Sequence, residues 1–233
     1  MDPTDRRGAV LTEATRLTPD VWRYVFTLDE ALPFRAGQFV NLAVPGGEKP
    51  LERSYSVWSG PEDARHLGFV IKLFPGGAAS GYLAAMRVGD RVSLRGPFGH
   101  LAVKDEDRAI WFCATSTGLA PFHSMLREAA QRGDSRPYRL YFGVRSQEDV
   151  FALPELDALR AQMRDFDYVL SLSRPQPGWT GEAGRITRLV DERHPAPTGA
   201  WLLCGNGEMV AEVKALLKAR GLDRKSIRSE TYW

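Results

Sequence analysis

Two stretches of small and hydroxylated residues each follow an apolar run and each opens a helical pattern. The first is Ala114-Thr115-Ser116-Thr117-Gly118-Leu119-Ala120-Pro121, with Pro121 suited to a first helical turn, and the second is Cys204-Gly205-Asn206-Gly207-Glu208-Met209. Such a turn aims backbone N–H groups and the positive end of a helix at a phosphate, although either one alone also reads as a plain connecting loop. The small residues of the second turn let a ligand approach the backbone closely, whereas Cys204 by itself reads as a buried thiol. Arg145, Ser173-Arg174 and Arg185 follow strand-like segments between these turns, so guanidinium groups collect on one rim. Arginine suits a phosphate monoester, which favours NADP over NAD; solvated surface arginines are the plainer reading of each.

In the N-terminal half the corresponding pieces are Arg53-Ser54-Tyr55-Ser56 on a strand and Gly76-Gly77-Ala78-Ala79-Ser80 before a short helical stretch. An arginine and exposed N–H groups at a helix start can hold a pyrophosphate, and a neighbouring tyrosine offers a flat ring for a flavin. An ordinary strand that happens to carry Tyr and Ser is the alternative.

Two kinds of scaffold must position these groups. From Ala9 to about Leu101 the pattern is short, β-rich and turn-broken: Val21 to Phe26 alternates, Gln38 to Leu42 follows Gly37, and Phe69-Val70-Ile71-Lys72-Leu73 precedes Pro75-Gly76-Gly77. That spacing predicts a small antiparallel barrel, with Gly89-Asp90 and Gly96-Pro97-Phe98-Gly99 as turns between its last strands. The charged run Lys104 to Arg108 marks a boundary, giving domains 1–103 and 104–233. Beyond it strands alternate with helices: Ile110 to Cys113, a helix around Phe122 to Gln131, Tyr138 to Phe142, a helix from Pro154 to Leu159, Tyr168 to Leu172, Trp201 to Leu203, and Glu208 to Ala219 capped by Gly221. Repeated strand–helix units imply a doubly wound parallel sheet, whose ligands bind beyond the carboxyl ends of the strands.

Composition narrows the field. A chain of 233 residues with 43% hydrophobic and 26% charged residues is expected to pack as one large or two modest domains. A net charge of +2 without a long basic run argues against nucleic acid. The charged start Met1 to Arg7 has no apolar run behind it and no later stretch is long enough for a bilayer, so a cytoplasmic protein with no membrane partner is expected. Cys113 and Cys204 cannot supply four thiolates for an iron–sulfur cluster, and His66, His100, His123 and His194 lack ligand spacing, so no metal site is expected.

Taken together, these motifs resemble, in order and over nearly the whole chain, the ferredoxin/flavodoxin–NADP reductase family of bacterial, FAD-dependent type. The resemblance implies an FAD-binding antiparallel barrel followed by an α/β NADP-binding domain. In it Arg53 would hold the diphosphate, Tyr55 would pack on the isoalloxazine and Ser56 would face flavin N5. Ser54, the Val70-Ile71-Lys72 segment and Thr115 would join the cofactor contacts, and Gly77-Ala78-Ala79-Ser80 would close over the pyrophosphate, favouring FAD over FMN. Thr115, Thr117, Gly118, Ser173 and the Cys204-Gly205-Asn206 turn would take the nucleotide, with Arg145, Arg174 and Arg185 where NADP-preferring members contact the 2′-phosphate. Tyr232 would cover the flavin face, Trp233 would lie near the adenine, and Ser56, Cys204, Glu230 and Tyr232 would surround the reacting atoms.

The activity this implies is hydride transfer between NADPH and flavin, with single electrons passed to a ferredoxin or flavodoxin by a protein acting as a monomer. The alternatives are a reductase, possibly NADH-preferring, that feeds the iron–sulfur component of an oxygenase, and a non-catalytic flavin- or nucleotide-sensing subunit. Three positions depart from the pattern. Ser116 stands where glycine is usual and would be strained if its φ is positive, Gly207 replaces a frequent proline, and Gly96-Pro97-Phe98-Gly99 is more typical of reductases that feed oxygenases.

Overall fold

A computed structural model describes residues 5–45 and 51–232. Period-two alternation buries one face of each N-terminal strand, as in β2 (Val21–Leu28) and β3 (Phe39–Val44). With β1 (Arg7–Arg16), β4 (Leu51–Ser56), β5 (His66–Lys72) and β6 (Arg91–Phe98) they form a six-stranded antiparallel sheet in the order β4-β3-β6-β1-β2-β5. Past the end of β4, the Trp58 N–H donates to the Gly68 carbonyl of β5 at 2.8 Å, so the two edges converge and the sheet curls like a barrel. Leu11, Phe26, Leu42 and Phe69 fill its interior, and helix α1 (Ala78–Ala85) closes one side through Leu83, whose carbonyl accepts from the Tyr24 hydroxyl at 3.2 Å.

Gly96, Pro97 and Phe98, expected in a turn, instead belong to β6. A bulge between Phe39 and Asn41 lets β3 pair with both Arg95 and Phe98, and only glycine fits at 96, where φ is +147° and a Cβ would press on Val40 and the Phe39 carbonyl.

The second sheet is wholly parallel, in the order β10-β9-β8-β7-β11-β12. Its elements are β7 (Ile110–Thr115), α2 (Ala120–Gln131), β8 (Tyr138–Val144), α3 (Leu153–Gln162), β9 (Phe166–Leu172), β10 (Glu182–Ala183), α4 (Ile186–Arg193), β11 (Ala200–Asn206), α5 (Gly207–Ala219) and β12 (Ile227–Tyr232). Strands such as β11 are buried from Ala200 to Gly205 because helices cover both faces. Phe112, Phe142 and Leu202 of the sheet pack with Phe122 of α2 and Leu156 of α3 on one face, while Trp201 packs with Leu189 of α4 and Val213 of α5 on the other. The chain moves outward from β7 to β10 and then returns to place β11 on the other side of β7, so the order reverses between β7 and β11 and a crevice opens there.

The halves share a core: Val21, Ala36, Trp58, Val70 and Leu101 join the cluster around α2. The His123 ring stacks on Trp58 at 3.7 Å, its Nδ1 donates to the Trp58 carbonyl at 2.9 Å, and burial lowers its pKa to about 3, so it stays neutral. The connecting segment is clasped by two arginines. Arg136 donates to the Lys104 and Asp107 carbonyls at 2.8 and 3.1 Å, and Arg228 of β12 donates to both Asp107 carboxylate oxygens at 2.6 Å and to the Ala102 carbonyl at 2.7 Å. Among the described residues no helix is long and apolar enough to cross a membrane.

The Arg228 and Asp107 side chains are only 13% and 9% exposed, so removing one partner strands a buried charge. Arg228→Met is expected to lower unfolding stability by about 3 kcal/mol in urea titration, and Asp107→Leu added to it to recover most of that loss.

Candidate active site between the two sheets

The crevice at the switch point is built around glycines. A Cβ on Gly118 would sit 2.4 Å from the Cys204 carbonyl oxygen, and one on Gly205, at φ +128°, would sit 2.2 Å from Thr115 Oγ1. The turns after β7 and β11 are therefore in backbone contact, and the Asn206 N–H donates to Thr115 Oγ1 at 2.8 Å to lock them. Asn206 Oδ1 accepts from the Glu208 and Met209 N–H groups at 2.9 and 3.2 Å, so that side chain is committed to capping α5. Ser116 lies at φ +50°, in the left-handed region, and begins a single 3₁₀ turn that leads into α2 with no side-chain cap. The strain expected there is present.

Between the sheets lies a cleft of about 940 Å³, within the range of small-molecule and cofactor sites. Ser54, Tyr55, Ser56 and the Val70-Ile71-Lys72 segment line it from the antiparallel half. Thr115, Thr117, Arg145, Ser173, Arg174, Arg185, Gly205, Asn206, Glu230 and Tyr232 line it from the parallel half. The cleft walls do not include Gly118, buried behind the turn, nor Cys204, fully buried under the sheet, nor Arg53 and the segment Gly77 to Ser80. Among the described residues Arg53 Nη1 donates to the Glu52 carbonyl, at 2.9 Å, and Ser80 Oγ accepts from the Phe74 N–H at 2.8 Å, at the entry to α1. Trp233 lies outside the described residues.

The parallel register of β11 and β12 sets Cys204 beside Glu230 and Asn206 beside Tyr232. Tyr232 then reaches across the cleft and its hydroxyl donates to Ser56 Oγ, joining residues 176 apart in sequence. Its phenol also lies beside the Cys204 thiol. Burial pushes the Cys204 thiol well up, helped by the Glu230 charge, so the sulfur is a neutral packing group rather than a nucleophile. Burial likewise lifts the Tyr232 phenol, and raises Glu230 from its ordinary 4.5 to about 7. Glu230 is thus poised to hold or give up a proton near neutrality beside the neutral Cys204 thiol and Tyr232 phenol.

The donor set fits a phosphate-bearing dinucleotide. Two guanidinium groups on the rim, Arg145 and Arg174, meet no carboxylate among the described residues, uncapped amides open the turn before α2, and the Tyr55 ring lies at the junction of the barrel core and the cleft. The lining residues that were not anticipated include Asp20, whose carboxylate pairs with Lys72 at 2.7 Å, half-exposed Phe74, and Glu208 and Glu212 on α5. Glu208 alone carries a readable signal, as a first-turn carboxylate that follows a small-residue turn.

Ser116→Gly is expected to be neutral or to stabilise by up to about 1 kcal/mol, as relief of left-handed strain is partly offset by unfolded-state entropy, whereas Gly205→Ala should cost at least about 2 kcal/mol; thermal melts check both. For Glu230 the folded pKa is raised, so its stabilising contribution is complete below pH 4.5 and lost as pH rises toward 7. Glu230→Gln removes that dependence, and the difference in Tm between variant and parent should grow more positive from pH 5 to pH 8.

The family model for the oxidoreductase FAD-binding domain matches residues 8–103, and that for the oxidoreductase NAD-binding domain matches residues 112–215. Ferredoxin–NADP reductase B of Sorangium cellulosum is 34% identical over 87% of this chain and 87% of its own length. The toluate 1,2-dioxygenase electron transfer component of Pseudomonas putida is 32% identical over 86% of this chain, which spans 59% of that longer protein. Among solved structures, the Amycolatopsis cytochrome P450 reductase GcoB superposes with a TM-score of 0.90 at 30% identity, covering 98% of this chain and 70% of that one. A ferredoxin NADP+ reductase from Neisseria gonorrhoeae with bound FAD and NADP superposes at 0.85 and 26% identity, covering 98% and 99%. The chain, an oxidoreductase with an FAD-binding half and an NAD(P)-binding half, belongs to the ferredoxin–NADP reductase family.

Proposed function

We propose that this chain takes reducing equivalents from NADPH through bound FAD and hands them on singly to a ferredoxin or flavodoxin. The observation that carries the reading is the shared cleft: the Ser56 hydroxyl of one half and the Glu230 and Tyr232 side chains of the other converge on one spot, with a rim of arginines leading to it. Held there, FAD would supply the chemistry of accepting a hydride from nicotinamide and releasing electrons singly. The residues do the positioning. Arg53, whose guanidinium among the described residues donates to a backbone carbonyl, is assigned to the flavin diphosphate together with the α1 entry from Gly77 to Ser80. Tyr55 is assigned to ring packing. The turns at Thr115 to Gly118 and Cys204 to Asn206 are assigned to the nucleotide backbone, and Arg145, Arg174 and Arg185 to its 2′-phosphate. Tyr232 leaves Ser56 for the nicotinamide to enter, and Glu230 supplies a proton-holding group near neutrality.

A second acceptor class has specific support. The relatives include the toluate 1,2-dioxygenase component and the reductase component DmpP of a Pseudomonas phenol 2-monooxygenase, 30% identical over 98% of this chain. On that reading the electrons go to an oxygenase partner rather than to a free carrier.

Arg174→Ala combined with Arg185→Ala tests the nucleotide assignment. With a dye as acceptor, kcat/KM for NADPH is expected to fall by about ten-fold or more, and that for NADH far less. Equal losses with both nucleotides would remove the 2′-phosphate from the reading.

A further inference from the structure

The three rim arginines are not equivalent. Arg145 and Arg174 are neighbours, the Arg174 N–H donating to the Arg145 carbonyl at 2.7 Å, and among the described residues neither guanidinium has an anionic partner. Arg185 does: its Nη1 lies 3.1 Å from Glu212 Oε1 and its Nη2 lies 3.8 Å from Glu208 Oε2, both carboxylates belonging to α5 and lining the same cleft. The stem of Arg185 is fixed. Preceding Gly184, at φ +110°, donates its N–H to the Leu172 carbonyl at 2.7 Å, and its carbonyl accepts from Ser171 Oγ at 2.7 Å. What remains free is the side chain, which can face the α5 acids or a ligand in the cleft.

Glu208 stands in the first turn of α5, where a carboxylate has a structural use against the helix dipole. Glu212 stands a turn further in, beyond the reach of that effect, and Arg185 is the charge it meets. The Arg185 side chain is 62% exposed, so the pair is of the weak, solvent-screened kind that a phosphate dianion can displace.

We infer that Glu212, assisted by Glu208, is a specificity-determining residue: it draws the Arg185 guanidinium onto α5 and so lowers the preference of the rim for a ribose 2′-phosphate. The inference rests on the reading that this rim takes the 2′-phosphate of NADPH. Binding of that phosphate must first break the Arg185–Glu212 pair and then tolerate two nearby carboxylates, whereas a nucleotide with a free 2′-hydroxyl leaves the pair intact. The discrimination between the two nucleotides is therefore smaller than three arginines would impose.

Calorimetric titration of the FAD-loaded protein with NADP+ and with NAD+ tests this, alongside dye turnover with the reduced nucleotides. Glu212→Gln is expected to tighten NADP+ by about two- to five-fold and NAD+ by a smaller factor, the scale of one exposed ion pair. Glu208→Gln should act in the same direction, and Arg185→Ala should weaken NADP+ and abolish the effect of Glu212→Gln. If Arg185→Ala weakens NADP+ but Glu212→Gln leaves the NADP+ to NAD+ ratio unchanged, the inference is overturned while the 2′-phosphate reading stands. If Arg145→Ala, Arg174→Ala and Arg185→Ala all leave NADP+ affinity unchanged, both are overturned.

Discussion

Between the ends of β7 and β11 there is no room for one additional methyl group. Gly118 lies against the Cys204 carbonyl and Gly205 against Thr115, and the hydrogen bond from the Asn206 N–H to the Thr115 hydroxyl fixes the approach. This contact makes the crevice at the switch point narrow at its base and open above, so that two helix-entry turns face one ligand. It also fixes β11, against which β12 pairs in register, and so sets the height at which Glu230 and Tyr232 emerge. A wider separation of the turns would displace Glu230 and Tyr232.

Placement of the antiparallel half depends on a second set of constraints. The Trp58–His123 stack and the bond from Ser124 Oγ to the Ser59 carbonyl at 2.7 Å hold the segment after β4 against α2, which brings Ser56 under β12. On the opposite side the buried Arg228–Asp107 pair ties β12 to the connecting segment. Ser56 and Tyr232 thus meet because both of their strands are anchored within a few residues of the contact. The neutral state of the buried thiol and phenol follows from that closeness, since neither can ionise without water, and Glu230 alone among these groups is left to titrate near neutrality.

Much of this was legible in the residues. The alternation of strand and helix from Ile110 onward specifies a parallel sheet, and the serine at 116, where the family usually has glycine, marks the turn in which a positive φ is found. Less visible were features decided by tertiary contacts. Strand β12 reads as a polar tail because Arg228, Ser229, Glu230 and Thr231 lack an apolar rhythm; what makes it a strand is the open edge of β11. Gly96-Pro97-Phe98 carries every local mark of a turn, yet the bulge opposite Val40 absorbs it into β6. The acids Glu208 and Glu212 read as the polar face of a helix, and their bearing on Arg185 depends on α4 and α5 packing side by side, which no local pattern encodes.

The central claim is that one cleft, shared by both halves, passes reducing equivalents from a nicotinamide nucleotide to FAD. The most direct test is the visible absorption spectrum of the FAD-loaded protein as NADPH, and separately NADH, is added without oxygen. The flavin band is expected to bleach with either nucleotide and faster with NADPH. A protein that holds FAD but whose spectrum is unchanged by both nucleotides would contradict it.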